Sequence, residues 1–218
     1  MPFDGTLRAV LFDFDGTLAD SYPAITASVN HVRGLHGLPP LEIDEVKRWV
    51  GRGAGALLAR TVPAGDLESN CAAYREHHPS VLHSGTCLLA GAAEILHLLH
   101  DRGLRLGLCS NKPVAFSRVL VEFLRIAPLL EVVLGPEDVA QPKPAPDMLL
   151  AALQRLGVAA AEALYVGDMS VDVETARGAG VKVWVVATGS EDRDALERAR
   201  PDRLFSNLEE ICEQLSEK

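Results

Sequence analysis

The stretch that decides the fold is Arg8–Asp20, RAVLFDFDGTLAD. After Arg8 comes the apolar run Ala9–Phe12, which is too short for a free-standing helix and typical of a strand buried on both faces. Two carboxylates, Asp13 and Asp15, follow the strand, and Gly16 then permits a sharp turn. Burying two acids this close together is costly, because each raises the pKa of the other. A divalent cation would compensate both charges, whereas a solvated Asp-Gly turn is the ordinary alternative.

The composition is that of an acidic globular protein with a full core. Its 218 residues are 48% hydrophobic and 23% charged, which fits one large domain or a core with an insertion. The formal net charge of -9 argues against nucleic acid or an anionic membrane as the partner, because both need a basic surface. An anionic substrate must therefore be attracted by a local positive site.

No feature of the sequence indicates export. The N-terminus lacks a basic segment followed by a long apolar one, and no window approaches the ~20 apolar residues of a membrane span. The four cysteines are far apart and form no CxxC pair, so we interpret them as reduced thiols and not as zinc ligands. We therefore expect a cytoplasmic protein. No heptad or long amphipathic arm decides between a monomer and a homodimer.

A helical block follows the first strand and its acids. Residues 21–85 contain no convincing buried strand, and their apolar spacing predicts helices, the last over residues 67–82. Helices inserted directly after a strand that carries two acids are typical of a lid. We therefore predict a helical cap over residues 20–85 and a core of residues 1–19 and 86–218.

From residue 86 onward, apolar strands alternate with helices. The predicted strands cover residues 104–109, 131–135, 163–166 and 181–186, and amphipathic helices lie between them. Strands that alternate with helices predict an α/β fold with a parallel sheet covered on both faces.

Polar side chains follow the ends of these strands. Ser110 and Asn111 come directly after one strand, Lys143 lies on a proline-rich loop, and Asp168 and Asp172 follow a later strand. Ligands of open parallel sheets bind beyond the carboxyl ends of the strands. Carboxylate oxygens suit Mg²⁺, and hydroxyl, amide and ammonium groups suit phosphoryl oxygens. Each residue alone could equally be a helix cap or a solvated side chain, but their common position favours a site.

Four short motifs contain these residues. They are LFDFDGTL, CSN, PKPAPD and GDMSVDVETARGAG, in that order along the chain. With these motifs the chain resembles the haloacid dehalogenase-like hydrolase superfamily over nearly its whole length. The resemblance implies a Rossmann-like, doubly wound parallel core with an inserted helical cap, in agreement with the lid predicted above.

The resemblance also implies a reaction. Asp13 would be the nucleophile that forms an aspartyl-phosphate, and Asp15 would protonate the leaving oxygen and then activate water. Dehalogenases of the superfamily lack the second acid, and the members that cleave phosphonates carry Ala there. The presence of Asp15 therefore favours the hydrolysis of a phosphate ester.

The implied ligands come from all four motifs. Magnesium would be held by Asp13, by the backbone carbonyl of Asp15 and by Asp168. Asp172 would act through a water or would orient Lys143. The resemblance implies that Ser110 and Lys143 hold the phosphoryl oxygens, and the amide of Asn111 at the same strand end is a further phosphate-binding candidate.

Two segments point to the phosphoglycolate phosphatase-like branch, namely SNKP at Ser110–Pro113 and WVGRGAGALL at Trp49–Leu58. The favoured function is a magnesium-dependent phosphatase of a small phosphorylated metabolite, with 2-phosphoglycolate as the best candidate. Arg52, between two glycines, could grip a substrate carboxylate, and a surface arginine is the alternative.

Three other functions stay open. One is a phosphomutase of the β-phosphoglucomutase type, which shares the four motifs. Another is a phosphatase for pyrophosphate, a nucleotide or an amino-sugar phosphate. The last is a non-enzymatic binding protein, against which the intact motifs argue.

Overall fold

The computed structural model describes residues 7–216, an α/β core with an inserted helical cap. The strands are β1 Ala9–Phe12, β2 Ala19–Asp20, β3 Cys87–Leu88, β4 Arg105–Cys109, β5 Val132–Leu134, β6 Ala163–Gly167, β7 Lys182–Val186 and β8 Arg203–Phe205. The helices are α1 Tyr22–Leu35, α2 Ile43–Lys47, α3 Ala54–Thr61, α4 Leu67–His77, α5 Ala92–Asp101, α6 Val114–Phe123, α7 Asp147–Leu156, α8 Ser170–Ala179, α9 Arg193–Ala199 and α10 Leu208–Ser216. Within this range, none of the helices has the length and apolar character that a bilayer crossing would need. Residues 1–6 and 217–218 of the predicted core lie outside the described residues.

The core is a parallel sheet with strand order β5-β4-β1-β6-β7-β8. Strand β1 is central and pairs with β4 on one side and β6 on the other. The chain runs outward from β1 through β4 to β5 and then returns to β6. The strand order therefore reverses beside β1, and a crevice at the carboxyl ends of β1 and β6 is the position where such sheets bind ligands.

Both faces of the sheet are covered, as the unbroken apolar run of β1 predicts. Val10 and Phe12 belong to one apolar cluster, which includes side chains of α5, α6 and α10. Ala9 and Leu11 belong to a second cluster, with side chains of α7, α8 and α9. The two clusters hold β1 rigidly, so the residues that follow Phe12 start from a fixed position.

The cap has its own apolar cluster, built from α1, α2, α3 and α4 around Val29, Val32 and Leu58. The chain enters and leaves it through an antiparallel ribbon in which β2 pairs with β3. The sequence analysis did not predict this ribbon, because two-residue strands carry no periodic signal. We propose residues 20–85 as the cap, since the ribbon brings both ends of this segment together.

Two details of the secondary structure differ from the prediction. The helix predicted over residues 67–82 ends at His77, and a 3₁₀ turn, His78–Ser80, follows it. Pro79 explains the change, because proline cannot donate the hydrogen bond that an α-helix would require there. Strand β8 was not predicted, because its three residues include an arginine and show no alternation.

Candidate active site

Strands β1 and β6 deliver two acids to the same crevice. Asp13 follows β1 and Asp168 follows β6, and both side chains are buried. Asp172, in the first turn of α8, joins them, and the three carboxylates each place an oxygen within 4.8 Å of the others. The structure brings these acids together at one edge of the sheet, where the sequence predicted that they would meet.

The charges of these acids are only partly balanced by the protein. Burial raises the pKa of Asp13 to about 6, with Lys143 opposing the shift and Asp172 adding to it. Burial, together with the charges of Asp172 and Asp13, raises the pKa of Asp168 well above its usual value. Asp13 Oδ1 and Asp168 Oδ2 have no hydrogen-bond partner among the described residues. Two buried, unpartnered carboxylate oxygens fit a hard cation such as Mg²⁺.

Lys143 is a buried cation in contact with the acid cluster. Its Nζ lies 2.9 Å from Asp13 Oδ2, 2.7 Å from Asp172 Oδ1 and 2.9 Å from the hydroxyl of Tyr165. Burial acts to lower the pKa of Lys143, but the two carboxylates raise it above its ordinary value. The alternative of a solvated loop lysine therefore does not hold, and Lys143 carries a permanent positive charge beside Asp13.

Asp172 has both carboxylate oxygens engaged by the protein. Oδ1 accepts hydrogen bonds from Lys143 and Tyr165, and Oδ2 accepts from the backbone N–H groups of Asp168 and Met169. Its geometry therefore suits the orienting role that the resemblance implied. Asp13 and Asp168 keep the open oxygens that a metal ion would need.

Asp15 is held by two donors that the sequence analysis did not single out. Lys112 Nζ lies 2.8 Å from Asp15 Oδ1 and 3.0 Å from Oδ2, and Ser21 Oγ also donates to Oδ1. The Lys112 side chain is only 3% exposed. The sequence signal that could have identified Lys112 is its position directly after Ser110 and Asn111, at the end of a strand.

Ser110 and Asn111 follow β4 on the same edge of the sheet. Ser110 is buried near Asp13, where it acts to lower the pKa of that carboxyl group, and its Oγ accepts a hydrogen bond from the Lys112 N–H at 3.4 Å. Asn111 Nδ2 donates to the carbonyls of Gly51 and Lys143, and its Oδ1 accepts from the Lys143 N–H. Both amide hydrogens of Asn111 are thus used to join the Lys143 loop to the cap. A contact of this amide with phosphate would require one of these bonds to break.

A cavity of about 40 Å³ lies between cap and core. Its polar lining comes mostly from the core, and its apolar lining includes Ile25, Val50 and Leu57 of the cap. The residues that line it are Asp13, Asp15, Ile25, Val50, Gly51, Gly53, Ala54, Leu57, Tyr74, His78, Ser110, Asn111, Lys112, Pro113 and Phe116. The cap therefore closes the crevice with a largely apolar surface.

The glycine-rich loop before α3 approaches the core at Gly51. This residue has a φ of 110°, and a Cβ built there would lie 2.3 Å from the Met169 sulfur. Gly51 and Gly53 line the cavity, whereas Arg52 between them is exposed and is not among its lining residues. The predicted grip of Arg52 on a substrate would need a different arrangement of this loop.

His78 is the cap residue that adds a polar ring to the cavity. Burial and the nearby charge of Lys112 lower the pKa of His78 to about 3, so the imidazole is neutral. Its Nδ1 is 2.8 Å from Ser28 Oγ, and the ring stacks on Tyr74. The turn after α4, which contains Pro79, places His78 at the cavity. Sequence periodicity alone did not reveal this position.

Asp168 is supported by residues distant in sequence. Thr17 Oγ1 donates to Asp168 Oδ1 at 2.8 Å. A Cβ built at Gly189, in the loop after β7, would lie 1.8 Å from Asp168 Oδ2. The loop must therefore carry glycine here for the carboxylate to keep its position.

Comparison with known proteins gives a consistent result. The model of the haloacid dehalogenase-like hydrolase family matches residues 10–186. A phosphoglycolate phosphatase of Rhodospirillum rubrum is 41% identical over 194 residues, covering 84% of this chain and 80% of the relative. That of Escherichia coli is 32% identical over 233 residues, with coverage of 96% and 92%.

Solved structures share the fold over the same length. A haloacid dehalogenase-like hydrolase from Bacteroides fragilis superposes with a TM-score of 0.88 at 30% identity, covering 94% of this chain and 99% of that one. A predicted phosphoglycolate phosphatase from Haemophilus somnus has a TM-score of 0.91 at 23% identity, covering 97% and 99%.

The α/β fold, the buried acids and the helical cap together define a hydrolase. The chain belongs to the haloacid dehalogenase-like hydrolases, in their phosphoglycolate phosphatase-like branch. The four motifs quoted from the sequence all fall within the matched residues.

Proposed function

We propose that this protein is a magnesium-dependent phosphatase that hydrolyses 2-phosphoglycolate, or a similarly small phosphorylated metabolite, through an aspartyl-phosphate on Asp13. The observation that carries the proposal is the position of Asp13, a buried acid beside Lys143 at the floor of a cavity that the cap closes. The relatives named phosphoglycolate phosphatase support the choice of substrate.

The two acids at the cavity would share the chemistry. A carboxylate oxygen of Asp13 attacks phosphorus, the bond from phosphorus to the ester oxygen breaks, and Asp15 gives that oxygen a proton. Water then attacks phosphorus and loses a proton to Asp15, which releases phosphate and regenerates Asp13. Lys112 and Ser21 donate hydrogen bonds to Asp15 and hold its carboxyl group in position at the cavity.

Charge on the phosphoryl group would be balanced from the core. Asp13, Asp168 and the Asp15 carbonyl would hold Mg²⁺, which supplies positive charge to the phosphoryl oxygens when bound. Lys143, whose Nζ lies 2.9 Å from Asp13 Oδ2, and Ser110, which acts to lower the pKa of Asp13, are positioned to contact the same oxygens. Asp172 keeps Lys143 in place.

A panel of phosphate esters tests the proposal. We expect the purified protein with Mg²⁺ to release phosphate from 2-phosphoglycolate with a higher kcat/KM than from glucose phosphates, nucleotides, pyrophosphate or an amino-sugar phosphate. In this conformation the cavity is small and its cap-side wall is largely apolar, which favours a short organic group over a sugar ring. Isomerised sugar phosphate without phosphate release would identify a phosphomutase instead, and no turnover at all would contradict an enzymatic function.

Replacing Gly189 by alanine should weaken metal binding although every acid of the site is kept. The new methyl group would collide with Asp168 Oδ2 and turn the carboxylate away, so we expect the Mg²⁺ affinity to fall at least about tenfold. Calorimetric titration with Mg²⁺ and the Mg²⁺-induced rise in Tm measure the effect.

Gly55→Ala is the matched control for this variant, because a Cβ at Gly55 meets nothing within 4 Å. It lies in α3 and should leave Mg²⁺ affinity unchanged. Equal affinities in Gly189→Ala and wild type would show that Asp168 does not hold the metal.

A further inference from the structure

Lys112 is a buried cation that the proposed reaction does not require as a nucleophile, an acid or a base. Its side chain is 3% exposed, although lysine normally keeps its ammonium group in water. Among the described residues that line the cavity, it is the one lysine or arginine. Any second negative charge on a substrate would therefore meet Lys112 within this lining.

The position of Lys112 is defined by its contact with Asp15. The ammonium group lies 2.8 Å and 3.0 Å from the two carboxylate oxygens of Asp15. When Asp15 gives its proton to the ester oxygen, that oxygen lies within hydrogen-bond distance of the carboxyl group, about 2.7 Å. A substituent on the carbon that carries the ester oxygen is then one group further away, within reach of the ammonium group that lines the same cavity.

The surroundings make this cation selective. Phe116, Ile25 and Leu57 also line the cavity, and Lys112 Nζ lies 5.9 Å from the centre of the Phe14 ring. In such a poorly solvated space, an ion pair with a substrate is stronger than in water. A neutral substituent would leave Lys112 with Asp15 as its anionic partner.

The cap adds no competing charge at this point. His78 lines the same cavity and stays neutral because it is buried against Tyr74 and Phe116. The exposed guanidinium of Arg52 is not part of the lining. The cap therefore contributes apolar side chains and the neutral ring of His78 to the cavity wall. The positive charge that can attract an anion comes from the core.

We propose that Lys112 determines substrate specificity by binding a carboxylate attached to the carbon that carries the phosphate ester. The substrate class is then the phosphate esters of short 2-hydroxycarboxylic acids, of which 2-phosphoglycolate is the smallest. This inference rests on the proposed phosphatase function and assigns to Lys112 the role that the sequence suggested for Arg52.

A pair of substrates of similar size but different charge tests the assignment. In 2-hydroxyethyl phosphate, a neutral hydroxymethyl group replaces the carboxylate of 2-phosphoglycolate. We expect wild type to prefer 2-phosphoglycolate. In Lys112→Met, kcat/KM for 2-phosphoglycolate should fall about 10- to 100-fold, mostly through KM, because a charge-assisted hydrogen bond is lost.

The ratio of the two kcat/KM values separates recognition from any effect on Asp15. Loss of the Asp15 partner would slow both substrates alike, whereas loss of carboxylate binding lowers only the preference for 2-phosphoglycolate. Lys112→Gln, which keeps a hydrogen-bond donor, is measured in parallel so that a folding defect of the Met variant does not decide the result. Arg52→Ala is the matched control and should keep the wild-type ratio.

Three results would overturn the assignment. An unchanged ratio in both Lys112 variants would limit Lys112 to supporting Asp15. A ratio that collapses in Arg52→Ala, but not in the Lys112 variants, would return the role to Arg52. Wild type that hydrolyses both substrates equally would contradict carboxylate recognition alone, whereas wild type that hydrolyses neither would contradict the proposed phosphatase itself.

Discussion

An Asp13→Asn variant is expected to lose at least about 10⁴-fold in kcat for phosphate release, because an amide cannot form the aspartyl-phosphate. The fold should stay intact. The substitution removes one charge from a buried cluster of acids, and Lys143 keeps its contact with Asp172. Phosphate release from saturating 2-phosphoglycolate, together with thermal unfolding, measures both expectations.

The same substitution at Asp101 is a suitable control, since that side chain is 79% exposed and lies at the end of α5. Asp101→Asn should retain wild-type turnover and Tm. Turnover that persists in Asp13→Asn would remove Asp13 from the reaction. A fall in both activity and Tm would leave a structural role as the simpler explanation.

A Lys143→Met variant is expected to lose both activity and stability. Lys143 is 1% exposed and lies between Asp13 and Asp172, so its removal leaves two buried carboxylates without their common cation. Removing one partner of a buried ion pair costs about 3–5 kcal/mol. For a chain of this size, that corresponds to a fall in Tm of roughly 6–20 °C.

The loss of stability in Lys143→Met should depend on pH. The folded-state pKa of Asp13, about 6, lies above its ordinary value of 3.8, so its stabilising contribution is complete below pH 3.8 and is lost as the pH rises through 6. Without Lys143, which lowers the pKa of Asp13, the folded-state pKa rises further. The deficit relative to wild type should therefore be largest above pH 6 and shrink towards pH 4.

Denaturant unfolding of both proteins in metal-free buffer at about pH 5 and pH 8 measures this difference. Lys182→Met serves as a control, because Lys182 is exposed on β7 and should show no pH-dependent deficit. A deficit in Lys143→Met that is equal at both pH values would show that the acids it contacts do not set its contribution.

Much of this site is predictable because it depends on local order along the chain. Phe12 ends a strand that is buried on both faces, and Asp13 comes next, so the position of the acid follows from the strand. Asp168 is placed in the same way by β6. Since parallel strands end at a common edge, the meeting of these acids needs no knowledge of longer contacts.

Other parts of the site depend on packing between segments that are distant in the sequence, and no sequence pattern links these segments. Lys112 and Asp15 are 97 positions apart, and their ion pair exists because β4 lies beside β1 and both side chains point into the same crevice. His78 reaches the cavity through the turn that contains Pro79, and Arg52 is exposed outside it although Gly51 and Gly53 on either side line it. These positions follow from how the cap packs against the core.

The amino-acid sequence by itself determined the α/β class, the helical insertion and the acids at the ends of β1 and β6, because the hydrophobic period and the residues at strand ends are local features. The tertiary structure alone decided how the charges are shared. In it, Lys143 pairs with Asp13 and Asp172, and Lys112 pairs with Asp15. One oxygen each of Asp13 and Asp168 has no hydrogen-bond partner among the described residues. Pairing of buried charges depends on distances of a few ångströms, and those are set by packing between distant segments.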